Sequence, residues 1–429
     1  MTVRDQAEAA RKASFRLASA SSQSKDRALE AVASAIDGAR REVLAENRKD
    51  EEQAGKTGLK DSLLKRLVLT DRKIDEITAS VRDLLRLEDP VGKRRLAREL
   101  DDGLILTQVS VPIGVVGVIF ESRPDALVQI STLALKSGNA VILKGGSEAA
   151  CSNRILFRLV REAAEAVDPV FRGAFQLVET REDVRELLAL DTLIDLMIPR
   201  GSNELVRSIQ EATRIPVLGH AEGVCHVYVD ADADLDMAVA VAYDAKCQYP
   251  AVCNAMETLL VHQAVAGAFL PRLAERLEGV ELRGDQATQS VISCRAATEA
   301  DWRSEYNDLI LSIRVVASLE GAVEHINTFG SHHTDSIVTT DRAAARAFLA
   351  GVDSSSVMWN CSTRFADGFR YGLGAEVGIS TGKVHARGPV GLEGLTSTKY
   401  VLEGTGQVVA DYAQGRRRFT HRDLEPGAP

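Results

Sequence analysis

No stretch of this 429-residue chain approaches the ~18 consecutive apolar residues that a membrane-spanning helix needs, so no bilayer span is expected. The amino-terminal stretch MTVRDQAEAARKASFRLAS mixes charges with small residues and lacks the apolar core of a secretory signal. Cysteine is scarce: six residues (151, 225, 247, 253, 294 and 361) with no C-x-x-C pair, too few and too scattered for a disulfide scaffold. A reducing cytoplasm with free thiols is the expectation, and it leaves any one cysteine available as a nucleophile. Basic bands are absent too. The 52 Lys and Arg are scattered among 61 Asp and Glu, for a net charge of −9, which argues against nucleic acid and acidic membranes as partners. There is no Walker A sequence, no G-x-G-x-x-G between a strand and a helix, no H-E-x-x-H and no G-x-S-x-G. Internal repeats and low-complexity linkers are missing as well.

What is present is a soluble globular composition, 45% apolar and 26% charged, in a chain long enough for two or three domains. The first hundred residues read as helices; from Ser24 on, Leu29, Val32, Ala33, Ile36, Val43 and Leu44 mark one apolar face. The pattern then changes. Leu104 to Val111 alternates as an extended segment, and Val115 to Phe120 is a compact apolar run. Strand-like runs at Ala140–Leu143, Ala174–Val178, Ile194–Ile198 and Val224–Val229 alternate with helical patterns near 126–136, 148–166, 182–190 and 203–212. That alternation predicts βαβ units around a mostly parallel sheet. A second α/β series starts near Asp244, with strands expected at Glu257–His262, Ser336–Thr339 and Val357–Trp359. The segment Thr398–Val409 is extended again and is expected to pair with Leu104–Val111 as a projecting sheet for subunit contact.

Several motifs bear on chemistry. Leu143-Lys144-Gly145-Gly146-Ser147 ends a strand and opens a helix, where backbone N–H groups and a lysine suit a phosphate or ribose, though a plain strand-to-helix turn reads the same way. Pro199-Arg200-Gly201-Ser202 is a second turn of that type. Two of them at the carboxyl ends of strands in one sheet point to a nucleotide lying across that edge. The acidic run from Asp230 to Asp236 is not a calcium loop, because Leu235 and Val241 stand where an EF-hand needs glycine and glutamate. It reads as acids at a helix N-terminus. The adjacent His332 and His333 have no third ligand at metal-site spacing, so no metal is expected. Cys253 differs from the other five cysteines in its setting. It ends Gln248-Tyr249-Pro250-Ala251-Val252-Cys253, a proline-bearing loop between a helix and a strand, beside polar Asn254. Such a loop end can expose a nucleophilic thiol.

These pieces, in this order, resemble the γ-glutamyl phosphate reductase (glutamate-5-semialdehyde dehydrogenase) family of the aldehyde dehydrogenase superfamily. The resemblance is carried by Pro112-Ile-Gly-Val-Val-Gly-Val-Ile-Phe-Glu-Ser-Arg-Pro124, Ser137-Gly-Asn-Ala-Val-Ile-Leu-Lys-Gly-Gly-Ser-Glu148 and Ile198-Pro-Arg-Gly-Ser202. It continues with Glu222-Gly-Val-Cys-His-Val-Tyr-Val-Asp230, Cys253-Asn-Ala-Met-Glu-Thr-Leu-Leu260 and Gly374-Ala-Glu-Val-Gly-Ile-Ser-Thr381, and runs to about residue 405. It implies an aldehyde dehydrogenase-like α/β fold in three parts. Residues 1–245 would hold the N-terminal helices and a Rossmann-like cofactor domain, with a flap strand inserted at about 101–113. Residues 246–395 would form the catalytic domain, and 396–429 a β oligomerisation-flap strand and tail. A homodimer or homotetramer is implied, with glutamate 5-kinase as the functional partner upstream.

The same resemblance assigns roles residue by residue. Cys253 takes the nucleophile position. Lys144 matches the lysine that holds the adenosine ribose. Ser147 stands where NAD-preferring relatives tend to place a glutamate, which favours NADPH. Gly201 and Ser202 match the turn under the pyrophosphate, and Glu305 the contact to the nicotinamide ribose. The glutamate that activates water in oxidising relatives falls on His220 or, with a small shift, on Glu222; their oxyanion-hole asparagine is replaced by Ser122. The hole would then rest on the Cys253 backbone N–H with Ser122 or Asn254. For the anionic groups of an acyl-phosphate substrate the candidates are Arg123 and Arg364, with Ser362 and Thr363 beside the latter. The implied activity is reduction of L-glutamyl 5-phosphate through a Cys253 thioester. Its rivals are an oxidising NAD-dependent aldehyde dehydrogenase, which needs a working carboxylate base, and a non-catalytic scaffold, whose residue 253 would be no more reactive than the other thiols.

Overall fold

The computed structural model describes residues 1–59, 61–121, 123–219 and 222–425. The chain opens with helices, among them Val3–Leu17, Ser22–Gly38, Arg40–Thr57 and Asp71–Asp83. The apolar face that begins at Ser24 is shared by two helices rather than one, because the chain leaves helical geometry at Ala39 (φ −95°, ψ 12°) and restarts. Val43 is buried in the second of them.

Along the chain the strands are β1 (Arg94–Asp101), β2 (Leu104–Pro112), β3 (Val115–Phe120), β4 (Ala140–Lys144), β5 (Phe175–Leu177) and β6 (Leu196–Arg200). There follow β7 (Cys225–Val229), β8 (Met256–His262), β9 (Glu281–Gly284), β10 (Arg295–Ala296), β11 (Ile310–Val316), β12 (Thr334–Val338) and β13 (Ser356–Trp359). The last are β14 (Ile379–Ser380), β15 (Gly388–Pro389), β16 (Thr396–Glu403) and β17 (Arg422–Leu424).

Three sheets organise the molecule. The first, in order β5-β4-β3-β6, is parallel throughout. Its strand order reverses between β3 and β6, and in an open α/β sheet that reversal opens a crevice at the carboxyl ends of the two strands. Glu121 follows β3 there, and Gly201 and Ser202 follow β6. The second sheet is seven-stranded, in order β10-β9-β11-β8-β7-β12-β13, also parallel throughout. Parallel strands covered on both faces bury nearly every residue, and β3, β7 and β12 are buried along their whole length.

Two expected borders move. β7 pairs with β8 and β12, so it belongs to the second sheet although it precedes residue 245. Ala375, Val377, Val390, Leu392 and Leu395 pack into the core of the first lobe, although they fall inside 246–395. Both parts of the chain are apolar enough for either core, and strand pairing and packing decide which they join. The third sheet, β16-β2-β1-β17, is antiparallel and joins the two distant segments expected to meet, with Thr396 facing Pro112 and Glu403 facing Ile105. β16 stops at Glu403, short of the extended stretch expected to Val409, where a short helix begins.

Candidate active site

A cleft of about 1210 Å³ opens where the carboxyl edge of the first sheet meets the amino edge of the second. Its lining includes Gly201, Ser202, Arg123, Cys253, Asn254, Glu305 and Arg364, which come from opposite lobes.

Cys253 stands at the end of the loop that leaves helix Leu235–Cys247 and enters β8, and it is half-buried. The loop is fixed from two sides. Gly223 runs so close beneath it that a Cβ there would lie 2.2 Å from the Cys253 carbonyl oxygen, so only glycine fits. Asn254 is buried, and its Nδ2 donates to the Ala366 carbonyl at 2.8 Å. One amide hydrogen of Asn254 thus ties two loops together, and only the second could serve an oxyanion.

Facing the thiol is the β6 turn. The Ser202 N–H donates to Glu121 Oε2 at 3.1 Å, and a Cβ on Gly201 would meet that same carboxylate at 2.6 Å. The turn therefore already holds one anionic group, in a cradle that a larger residue would fill. Ser202 also caps helix Asn203–Ala212, whose positive end favours negative charge. From the other lobe Glu305 accepts a hydrogen bond from Asn203 Nδ2 at 2.9 Å, linking the catalytic lobe to the first residue of that helix. Behind Glu305, Glu257 accepts from the Asn307 N–H (3.2 Å) and pairs with Lys246 (2.5 Å), both side chains being wholly buried.

Three arginines converge on the cleft. Arg123 is exposed and pairs with Asp125 at 3.2 Å. Arg364 is buried; its Nε donates to Gln248 Oε1 at 3.0 Å, and burial, with Arg370 nearby, holds its guanidinium below the ordinary value. The third, Arg200, ends β6. It lies in a turn read from sequence only for its glycine and serine. Burial and the charge of Arg123 push its guanidinium down to about 10.

The model of the aldehyde dehydrogenase family matches residues 1–300. The γ-glutamyl phosphate reductase of Methanosarcina mazei is 56% identical over 97% of this chain and 96% of its own length. That of Acetivibrio thermocellus is 53% identical over the full length of both. The crystal structure of γ-glutamyl phosphate reductase from Thermotoga maritima superposes with a TM-score of 0.92 at 41% identity, covering 95% of this chain and 100% of that one. The chain belongs to the γ-glutamyl phosphate reductase family.

Not every residue assigned by likeness to the γ-glutamyl phosphate reductases reaches the cleft. Ser362 and Thr363 are buried beside Arg364 and do not line it. Ser362 Oγ accepts from the Arg364 N–H and caps the turn, and Thr363 is buried within it. Lys144 ends β4, one strand away from the β3/β6 crevice, and Ser147 lies exposed beyond it; neither lines the cleft. Glu222, the second of the two positions onto which the water-activating glutamate of oxidising relatives could fall, is paired with Arg207 and also lies outside the lining. Ser122 and His220 fall outside the described residues. Among the described residues, no group of three or more His, Cys, Asp or Glu is placed to hold a metal, and no helix is long and apolar enough to cross a membrane.

Proposed function

We propose that this chain reduces L-glutamyl 5-phosphate to L-glutamate 5-semialdehyde and phosphate with NADPH, the second step of proline synthesis from glutamate. The observation that carries the reading is the placement of Cys253 in one cleft with Arg123, Arg200 and Arg364 and with the anion-accepting β6 turn.

The chemistry follows from those positions. The Cys253 sulfur attacks the acyl carbon, the bond from that carbon to the phosphate oxygen breaks, and phosphate leaves with the electron pair. Arg364 and Arg123 supply positive charge for the substrate's anionic groups. The Cys253 backbone N–H, with help from Asn254, faces the oxygen that gains charge. NADPH, when bound, supplies the hydride that reduces the thioester carbon. Gly201, Ser202 and the helix after them would hold its pyrophosphate once Glu121 moves aside, Glu305 its nicotinamide ribose, and Lys144 with Ser147 its adenosine end. Collapse of the reduced adduct releases aldehyde and returns the thiol. The pairing of Glu222 with Arg207 speaks against an oxidising aldehyde dehydrogenase, which needs a free carboxylate base near the thioester.

Glutamate 5-kinase is the functional partner this reading requires, because the labile acyl phosphate must be made nearby. Six free thiols suit a reducing cytoplasm. The β16-containing sheet is the surface proposed to build a homodimer or homotetramer. Cys253→Ser tests the covalent step: NADPH-dependent reduction of the acyl phosphate should disappear, and its retention would reject the thioester.

A further inference from the structure

Arg200 and Arg364 differ from Arg123, the third arginine of the cleft: each donates to a neutral glutamine oxygen, and among the described residues neither has a carboxylate as ion-pair partner. The Arg200 guanidinium donates from Nη1 to Oε1 of Gln129 at 3.2 Å. Arg123, by contrast, has Asp125. A half-buried guanidinium without a counter-ion is costly, and an anion arriving in the cleft would offset that cost. Glu376 and Asp125 are near enough to favour the charged form but stand off from contact, so the fork of donors stays open. Cys253 lies near enough to both Arg200 and Arg364 to favour their charged forms. Arg200 sits at the rigid end of a buried strand, and Gln129 holds one arm of the fork without neutralising it.

We infer that Arg200 grips the phosphoryl group of the acyl phosphate beside Cys253, and grips inorganic phosphate when the reaction runs backwards. This rests on the function proposed above. A planar guanidinium fork matches two phosphate oxygens, and its positive charge balances the negative charge that gathers on the leaving phosphate. Arg200 gives up no proton; the electron pair of the broken carbon–oxygen bond stays on phosphate.

The reverse direction isolates the claim. There, Cys253 adds to the semialdehyde, NADP⁺ takes the hydride, and inorganic phosphate displaces the thiolate to form the acyl phosphate. In Arg200→Met the KM for inorganic phosphate should rise by about 10- to 100-fold, the loss of a charge-assisted contact, with the KM for NADP⁺ within about twofold of wild type. Arg200→Lys keeps the charge, loses the fork and should fall between. Phosphate should also slow alkylation of Cys253 by iodoacetamide in the wild type and not in Arg200→Met, a readout that needs no turnover. An unchanged phosphate KM in Arg200→Met overturns the assignment, and if that variant does not fold, an unchanged KM in Arg200→Lys does so. A wild-type enzyme that oxidises the semialdehyde with no need of phosphate overturns the functional reading itself, which is a separate result.

Discussion

The Sγ of Cys225 donates to the carbonyl oxygen of Cys253 at 3.1 Å, from the first residue of β7 to the last turn before β8. Cys225 is fully buried, and burial raises its thiol well above the ordinary value, so it stays a neutral donor beneath the reactive loop. Together with Gly223 it forms the floor on which the nucleophile stands. Gly223→Ala should therefore lift Cys253 out of line and lower kcat/KM by about 100-fold while leaving the fold intact, since reactive groups misplaced by about 1 Å lose that much. Steady-state kinetics alongside circular dichroism check it; a fully active alanine variant would mean the loop yields freely.

The contact between Glu305 and Asn203 crosses from one lobe to the other. If Glu305 meets the nicotinamide ribose, Glu305→Gln should raise the KM for NADPH by about tenfold or more through loss of a charged acceptor. Alkylation of Cys253 in the enzyme without cofactor should be unchanged. A variant with an unaltered NADPH KM would detach Glu305 from the cofactor.

Much of this arrangement is legible in the sequence, and the rest is hidden for identifiable reasons. Helix Asn203–Ala212 begins and ends where the helical pattern of its sequence puts it. Strands β4, β8 and β13 lie within two residues of their apolar runs. Strand β1, Arg-Arg-Leu-Ala-Arg-Glu-Leu-Asp, gives no strand signal, because half-exposed flap positions tolerate charge on both faces. Ile310–Val316 does carry the β-branched run of a central strand, so its place in the second sheet was within reach of the sequence. Sheet membership of β7 was not, since both sheets are parallel and their strands look alike. The same limit applies at the site. Cys253 and the Gly201-Ser202 turn announce themselves by context, but whether Arg200 has a counter-ion is a property of the packed molecule alone.

Ser147 leads the short turn after β4 and is exposed, so a charge placed there acts on a ligand instead of on the core. The turn is not free of negative charge, because the Glu148 carboxylate folds back over Gly146. Ser147→Glu would add a second. Against a 2′-phosphate about 4 Å away this costs on the order of 1 kcal/mol in water, so NADPH should weaken about fivefold relative to NADH. Equal effects on the two cofactors, measured by fluorescence titration, would place the adenosine end elsewhere.

The Lys246–Glu257 pair makes a prediction about pH. Glu257 is pushed up to about 7 by burial, against the pull of Lys246 and the Asn307 N–H. Its ordinary value is 4.5, so between pH 4.5 and 7 the folded protein holds a proton that the unfolded chain has lost. Stability from this group is therefore present below pH 4.5 and lost as pH rises through 7. Glu257→Leu alone leaves Lys246 as a buried, unpaired cation and should cost about 3–5 kcal/mol, whereas Lys246→Met with Glu257→Leu should cost much less. Measured by urea unfolding, the stability of the wild type relative to that double variant should shrink from pH 4.5 to pH 7. If the difference stays constant, Glu257 is ionised throughout, and Lys246 outweighs its burial. The pair also backs the Asn307 segment next to Glu305, so the double variant should raise the KM for NADPH even where its stability is unharmed.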